Sequence, residues 1–339
     1  MVSAMSGAAG APTGRTGSEP GETHLTSPAT AAATPATASD VERLLAKAGY
    51  LADARLALVA WLAIAIDRPL LVEGPAGVGK TDLARAAAEA LGRDLVRLQC
   101  YEGLDEAKSL YEWDYAKQIL YTQLLRDAVA KETAGAATLA EAADRVAASD
   151  AAFFSERFLI ARPLLRALTG DNERGAVLLV DEVDRADPEF EAFLLEILAE
   201  RQVTIPELGT IKAKHPLLVV LTTNGTRDMT DALRRRCLHA FVDYPPPSRE
   251  VAILELRVPG IGKALAADLA ALAARIRGLD LRKPPSISET IDWARALVLL
   301  GASALDRAVV EATLGAITKY EEDRRKVEGK LDALLRSDP

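Results

Sequence analysis

Gly74-Pro75-Ala76-Gly77-Val78-Gly79-Lys80-Thr81 is the stretch on which the reading of this chain turns. The apolar segment Pro69-Leu70-Leu71-Val72-Glu73 precedes it, and Asp82 to Leu91, rich in alanine and leucine, follows. Strand, glycine loop and helix in that order form the context a phosphate-binding loop needs. Glycines let successive backbone N–H groups curl around a polyphosphate, and the helix N-terminus adds a favourable partial positive charge. Lys80 then reaches the β- and γ-phosphates, and the Thr81 hydroxyl ligates Mg²⁺. A ligand-free glycine turn is the competing reading, but it has no need of both flanking elements. The stretch is therefore read as a nucleoside triphosphate site.

Working outward, Ala176-Val177-Leu178-Leu179-Val180-Asp181 is a continuous apolar run ending in Asp181-Glu182, 101 residues beyond Lys80 (181 − 80). Such a run reads as a central parallel strand, buried on both faces. The acidic pair supplies two roles: Asp181 holds Mg²⁺ directly or through a water, and Glu182 polarises the water attacking the γ-phosphorus. An Asp-Glu pair standing alone would more simply be a solvated strand end. Pro216 to Leu221 is another buried strand and delivers Thr222-Thr223-Asn224. There an amide can lie between the acidic pair and the γ-phosphate, although Thr-Thr-Asn-Gly is also an ordinary turn. Asp231 to Cys237 reads as a helix ending in Arg234, Arg235 and Arg236. Three basic residues suit a helix C-terminus without any function; the specific reading is an arginine finger reaching a neighbouring subunit's nucleotide.

The remaining elements follow from periodicity and breakers. Residues 1–39 carry almost no large apolar side chains and read as a disordered tail. Order is expected from Asp40, as N-cap of Val41 to Lys47, with a second helix from Asp53 to Ile66. Gly49-Tyr50-Leu51 between them can receive a base, or Tyr50 can simply pack. Asp94 to Gln99 is a second strand and His239 to Asp243 a fifth. Cys100 to Thr169 reads as mostly helical, and residues 202–205 with 209–212 as a hairpin. Tyr244-Pro245-Pro246-Pro247 closes a first domain, 40–247; residues 248–339 read as helices, the last breaking near Gly329. Tyr101, Tyr111, Trp113 and Tyr115 crowd one segment, either as packing or as a surface that grips a substrate chain.

Bulk numbers exclude several classes. The 339 residues are 49% hydrophobic and 27% charged, with a formal net charge of -8. No general attraction to nucleic acid or anionic membrane is expected from that balance. Two cysteines without a close pairing motif suit a reducing compartment. Leu56 to Ile66, the longest apolar run, is too short to span a bilayer, and no secretory leader is visible. A cytoplasmic protein without membrane insertion is expected.

Gly74–Thr81, Asp181-Glu182, Asn224 and Arg234–Cys237, in that order and ahead of a helical region, resemble an AAA+ ATPase. Glu191 to Ile205 and Gly301-Ala302-Ser303 resemble the MoxR family within it. Gln99 to Ala107, Tyr111-Glu112-Trp113 and Asp181 to Asp187 are similar to the branch associated with carbon monoxide dehydrogenase-type molybdenum hydroxylases. The resemblance covers about residues 40–335. It implies an α/β fold, an αβα sandwich on a five-stranded parallel sheet of order 5-1-4-3-2, with a C-terminal all-α lid. It implies Mg²⁺-dependent ATP hydrolysis between subunits of a homohexameric ring. A von Willebrand factor A domain partner and a metalloenzyme client come with it, the work being chaperone-like maturation or cofactor insertion. By motif position Asn224 corresponds to sensor 1 and Arg236 to the finger, with Arg235 the alternate. Thr290 stands where the lid arginine of sensor 2 is expected. The competing functions are a nucleic-acid-remodelling ATPase and a nucleotide-dependent binding switch.

Overall fold

The computed structural model describes residues 35–124, 134–136, 138, 140–141, 155–206 and 208–336. The expected tail lies outside them up to residue 34, and so does the middle of the stretch from 100 to 169.

Nine strands are described: β1 Leu70–Glu73, β2 Asp94–Gln99, β3 Tyr111–Trp113, β4 Leu159–Ala161, β5 Ala176–Asp181, β6 Gln202–Ile205, β7 Gly209–Lys212, β8 Leu217–Thr223 and β9 Leu238–Phe241. Five of them form one sheet in the order β2-β5-β8-β1-β9, and every pair in it is parallel. Counting only these five in chain order, the sheet reads 5-1-4-3-2 from its β9 edge, as expected. Its residues alternate between two cores. Leu71, Leu98, Leu178, Val180, Val219 and Leu221 enter one; Leu70, Val72, Val177, Leu179, Leu218 and Val220 enter the other. Burial on both faces explains why the inner strands β1, β5 and β8 read as apolar runs, whereas the edge strands β2 and β9 are partly exposed.

On the second face pack α1 (Ala38–Lys47), α2 (Ala54–Ala65) and α3 (Lys80–Leu91). The first of these differs from the sequence reading. Thr37 is the N-cap, and Asp40 is its N3 partner in a capping box, because a Thr side chain three residues upstream satisfies the Asp40 N–H. Between β2 and β5 lie α4 (Glu106–Ser109), α5 (Tyr115–Leu124) and α6 (Pro163–Thr169). The same interval holds the antiparallel pair β3·β4, which the expectation of a mostly helical segment did not include. Three-residue strands give too little alternation to stand out.

Helix α7 (Pro188–Glu200) leads into the β6·β7 hairpin, and α8 (Asp231–Arg236) joins β8 to β9. The chain then continues as α9 (Pro247–Arg257), α10 (Lys263–Arg277), α11 (Ile287–Leu299), α12 (Arg307–Thr313) and α13 (Glu321–Leu335). A third core, drawn from Leu254 to Leu334, belongs to these helices. Gly329 does not break the last helix; the interruption falls just before Glu321. Glu321, Glu322 and Asp323 in the first turn favour a helix start there.

Candidate functional site

The glycine loop follows β1, which lies between β8 and β9 in the sheet, and two of its glycines have no substitute. A Cβ on Gly74 would lie 1.9 Å from the Val242 carbonyl oxygen. Gly77 has φ +75°, and a Cβ there would lie 2.4 Å from Ser286 Cβ. Gly79, also left-handed, is the N-cap of α3, so the helix opens at Lys80; Pro75, Ala76 and Val78 complete the loop between them. The buried Lys80 ammonium donates to the carbonyls of Gly74 and Pro75, both at 2.6 Å, and to Asn224 Oδ1 at 2.9 Å. Burial holds its pKa below the usual lysine value against the opposing pull of Asp184, Asp181 and Glu182.

Asp181 ends β5, next to β1's other neighbour, and is 3% exposed. Its Oδ1 accepts from Thr222 Oγ1 at 2.6 Å and from Thr81 Oγ1 at 3.0 Å; its Oδ2 accepts from Arg97 Nη2 at 2.6 Å. Glu182 has φ +55°, a left-handed conformation that costs a non-glycine residue about 1–3 kcal/mol. Its backbone N–H donates to Thr222 Oγ1 at 2.9 Å, which helps fix that turn. The Glu182 carboxylate accepts from Gln99 Nε2 at 3.0 Å, Arg185 Nη1 at 3.1 Å and Asn224 Nδ2 at 3.4 Å. Asn224 therefore bridges Lys80 and Glu182 with its two amide atoms.

A second carboxylate sets the bridge in place. The buried Asp184 Oδ2 accepts from the Asn224 N–H (3.3 Å), the Thr226 N–H (3.0 Å) and Thr226 Oγ1 (2.6 Å). Burial raises its pKa, but these hydrogen bonds outweigh it and leave the carboxyl below its ordinary value. Fully buried Glu191 pairs with Arg227 and accepts from the Thr230 N–H at 2.8 Å; Thr230 is the N-cap of α8. Buried Asp184, in the turn after β5, and Glu191, on α7, thus hold the segment from Asn224 to Thr230, the N-cap of the helix that bears the three arginines.

Beside the loop opens a cavity of about 710 Å³. Gly77, Val78, Gly79, Thr81 and Arg97 line one side, Tyr50 and Leu51 another, and Arg249, Ile253, Arg257, Ser288 and Ile291 the helical side. It is large enough for a nucleotide. Tyr50 is buried in this wall, burial pushing its phenol well above the usual value.

Residues 69–237 match the family described as AAA domain (dynein-related subfamily). Over 273 residues the chain is 28% identical to Protein NorQ of Paracoccus denitrificans, covering 78% of this chain and 85% of that protein. Over 246 residues it is 28% identical to gas vesicle ATPase GvpN of Ancylobacter aquaticus, covering 69% of this chain and 61% of that one. The chain carries an AAA domain, and its likeness to NorQ and GvpN supports a MoxR-type AAA+ ATPase. A mutant of Thermotoga maritima RuvB superposes with a TM-score of 0.45 at 17% identity, covering 89% of this chain and 79% of that one; nothing further rests on that overlap.

In this AAA+ chain the structure brings Lys80, Thr81, Asp181, Glu182 and Asn224 together, and leaves the finger candidates apart. Of the residues brought together only Thr81 lines the cavity, and none of Arg234, Arg235 or Arg236 does. Arg234 lies 3.7 Å from Glu73, whereas Arg235 and Arg236 have no acidic partner among the described residues. Thr290 is buried and accepts from Arg277 Nη2 at 3.0 Å, and Arg277 is committed to the buried Glu250. Arg295 pairs with exposed Asp292. The helices touch the loop differently: Ser288 donates its N–H to the Gly77 carbonyl at 3.2 Å and its Oγ at 3.3 Å. Of the crowded aromatics, Trp113 is buried and edge-on to Tyr111, while Tyr101 and Tyr115 are exposed.

Sequence reasoning gave no role to Arg97, Gln99, Asp184 or Thr226. Arg97 and Gln99 fall at alternate positions of β2, on the face Leu95 shares and opposite buried Val96 and Leu98, so they read simply as the polar face of a half-buried edge strand. Among the described residues no helix is long and apolar enough to cross a membrane.

Proposed function

We propose that this AAA+ protein hydrolyses ATP with Mg²⁺ and uses the cycle for chaperone-like remodelling of a protein client. The observation that carries hydrolysis is the hydrogen-bonded chain Lys80–Asn224–Glu182 at 2.9 and 3.4 Å. It puts a cation for the phosphates, an orienting amide and a basic carboxylate within one side chain of each other. Glu182 orients the attacking water and draws off its proton, Asn224 holds that water against the γ-phosphate, and Lys80 balances charge on the transferred group. Phosphoryl transfer needs such positioning more than covalent help.

Thr81 hydroxyl and Asp181 carboxylate, 3.0 Å apart, form an all-oxygen donor pair. That pair fits Mg²⁺, which binds through one or two protein oxygens and completes its shell with phosphates and water. When bound, the ion supplies charge neutralisation between the β- and γ-phosphates. Arg236, half-buried at the end of α8, is assigned as the finger into a neighbouring subunit of a homohexameric ring, with exposed Arg235 the alternate. The name of GvpN as an ATPase supports turnover, and the phrases from Gln99 to Trp113 support a metalloenzyme client of the molybdenum hydroxylase class. A von Willebrand factor A domain partner and a cytoplasmic setting complete the reading.

Phosphate release and nucleotide binding, measured on the same preparations, test it. Lys80→Ala is expected to lose nucleotide binding, and Glu182→Gln to bind ATP while releasing no phosphate. Turnover at the wild-type rate in Glu182→Gln contradicts the assignment of the base.

A further inference from the structure

We infer that Arg97 is a resident counter-ion of Asp181 that competes with the divalent cation for that carboxylate. This rests on the reading of Thr81 and Asp181 as the cation's ligands. Asp181 is 3% exposed, and a carboxylate taken out of water without a compensating charge is costly. Among the described residues Arg97 is the only cation within ion-pair distance of it.

Three groups donate to this carboxylate, and they differ in freedom. Thr81 and Thr222 are short, neutral and fixed on α3 and β8. Arg97 reaches in from β2, the sheet's outer strand, on a long side chain that remains 53% exposed. The same nitrogen donates to Gln99 Oε1 at 2.5 Å, which steadies the guanidinium over Oδ2. Arg97 also lines the cavity that Thr81 lines. A guanidinium and a divalent cation cannot both sit against Oδ2, because like charges at that range repel strongly. Arg97 is the donor able to leave, and its departure opposes cation binding. The buried carboxylate is thereby neutralised in both states, by Arg97 in one and by the cation in the other.

Binding of a fluorescent ADP analogue to the full chain, in EDTA and in excess Mg²⁺, tests this on wild type, Arg97→Met and Arg97→Lys. The ratio of the two dissociation constants measures how far cation and nucleotide assist each other. Displacing Arg97 lowers that ratio in the wild type, so it rises at least about fivefold in Arg97→Met, with Arg97→Lys between. Mn²⁺ titrated at saturating ADP should likewise bind more tightly to Arg97→Met. Were Arg97 a phosphate contact instead, both constants would weaken together; an unmoved ratio, or weaker Mn²⁺ binding, overturns the inference. If Arg97→Met does not fold by circular dichroism, Arg97→Lys decides: a ratio above wild type supports competition, and one at or below it overturns it. A wild-type ratio of one is a separate failure, that of Thr81 and Asp181 as cation ligands.

Discussion

Asp184 lies two residues beyond Glu182, and its Oδ2 takes three hydrogen bonds from the loop that carries Asn224. Its Oδ1 is buried without a partner among the described residues, so the carboxylate contributes through one oxygen alone. Asp184→Asn should lower stability by about 1–3 kcal/mol, the cost of weakening charge-assisted bonds to buried N–H groups. The pH dependence has a definite sign. Because the folded carboxyl sits below its ordinary value, its contribution is present above about pH 4, the unfolded range, and is lost as pH falls through the folded value. The gap between wild type and Asp184→Asn, from denaturant midpoints, should therefore narrow below about pH 4. A gap independent of pH would remove the carboxylate as its source. This residue shows where the sequence stops speaking. Lys80 and Thr81 were legible because they close a contiguous glycine motif, even though their partners Asn224 and Asp181 are far away in sequence. Asp184 and Arg97 act across strands, through Thr226 and Asp181, and nothing local marks such a pairing.

At the scale of elements, the inner strands β1, β5 and β8 of the main sheet were legible because burial on both faces leaves an apolar run with sharp ends. Short or weakly patterned pieces were not. The β3·β4 pair offers three residues a side, and the start of α13 was hidden behind Gly329, which the helix simply contains. The N-terminus of α1 is instructive because it changes a prediction. The Pro35 carbonyl accepts from Trp61 Nε1 at 3.2 Å and Thr37 caps the helix, so order begins before Asp40. Removing residues 1–34 should leave ATP turnover and thermal stability unchanged. Removing 1–39 deletes the cap, and should lower stability by at least about 1 kcal/mol. Thermal melts of the two truncations check this. Equal melts would show that the Thr37 box contributes nothing, and loss of turnover in the first would show that residues before 35 are needed.

Over the whole molecule, the two halves of the proposed chemistry are not joined. Lys80, Asn224 and Glu182 are linked by hydrogen bonds, while no hydrogen bond or ion pair among the described residues links Arg235 or Arg236, at the end of α8, to them. A guanidinium that finds no acidic partner among the described residues can complete the site of another subunit. Arginine fingers of this kind accelerate hydrolysis by roughly 10³–10⁵. Arg236→Ala should bind ATP about as the wild type does and hydrolyse it far more slowly. The most direct measurement is phosphate release from a mixture of Arg236→Ala and Lys80→Ala subunits, each inactive alone, after subunit exchange has been shown. Some interfaces then pair an intact loop with an intact Arg236, and partial activity should return. No recovery despite exchange, or full activity in Arg236→Ala by itself, would contradict a site shared between subunits through Arg236.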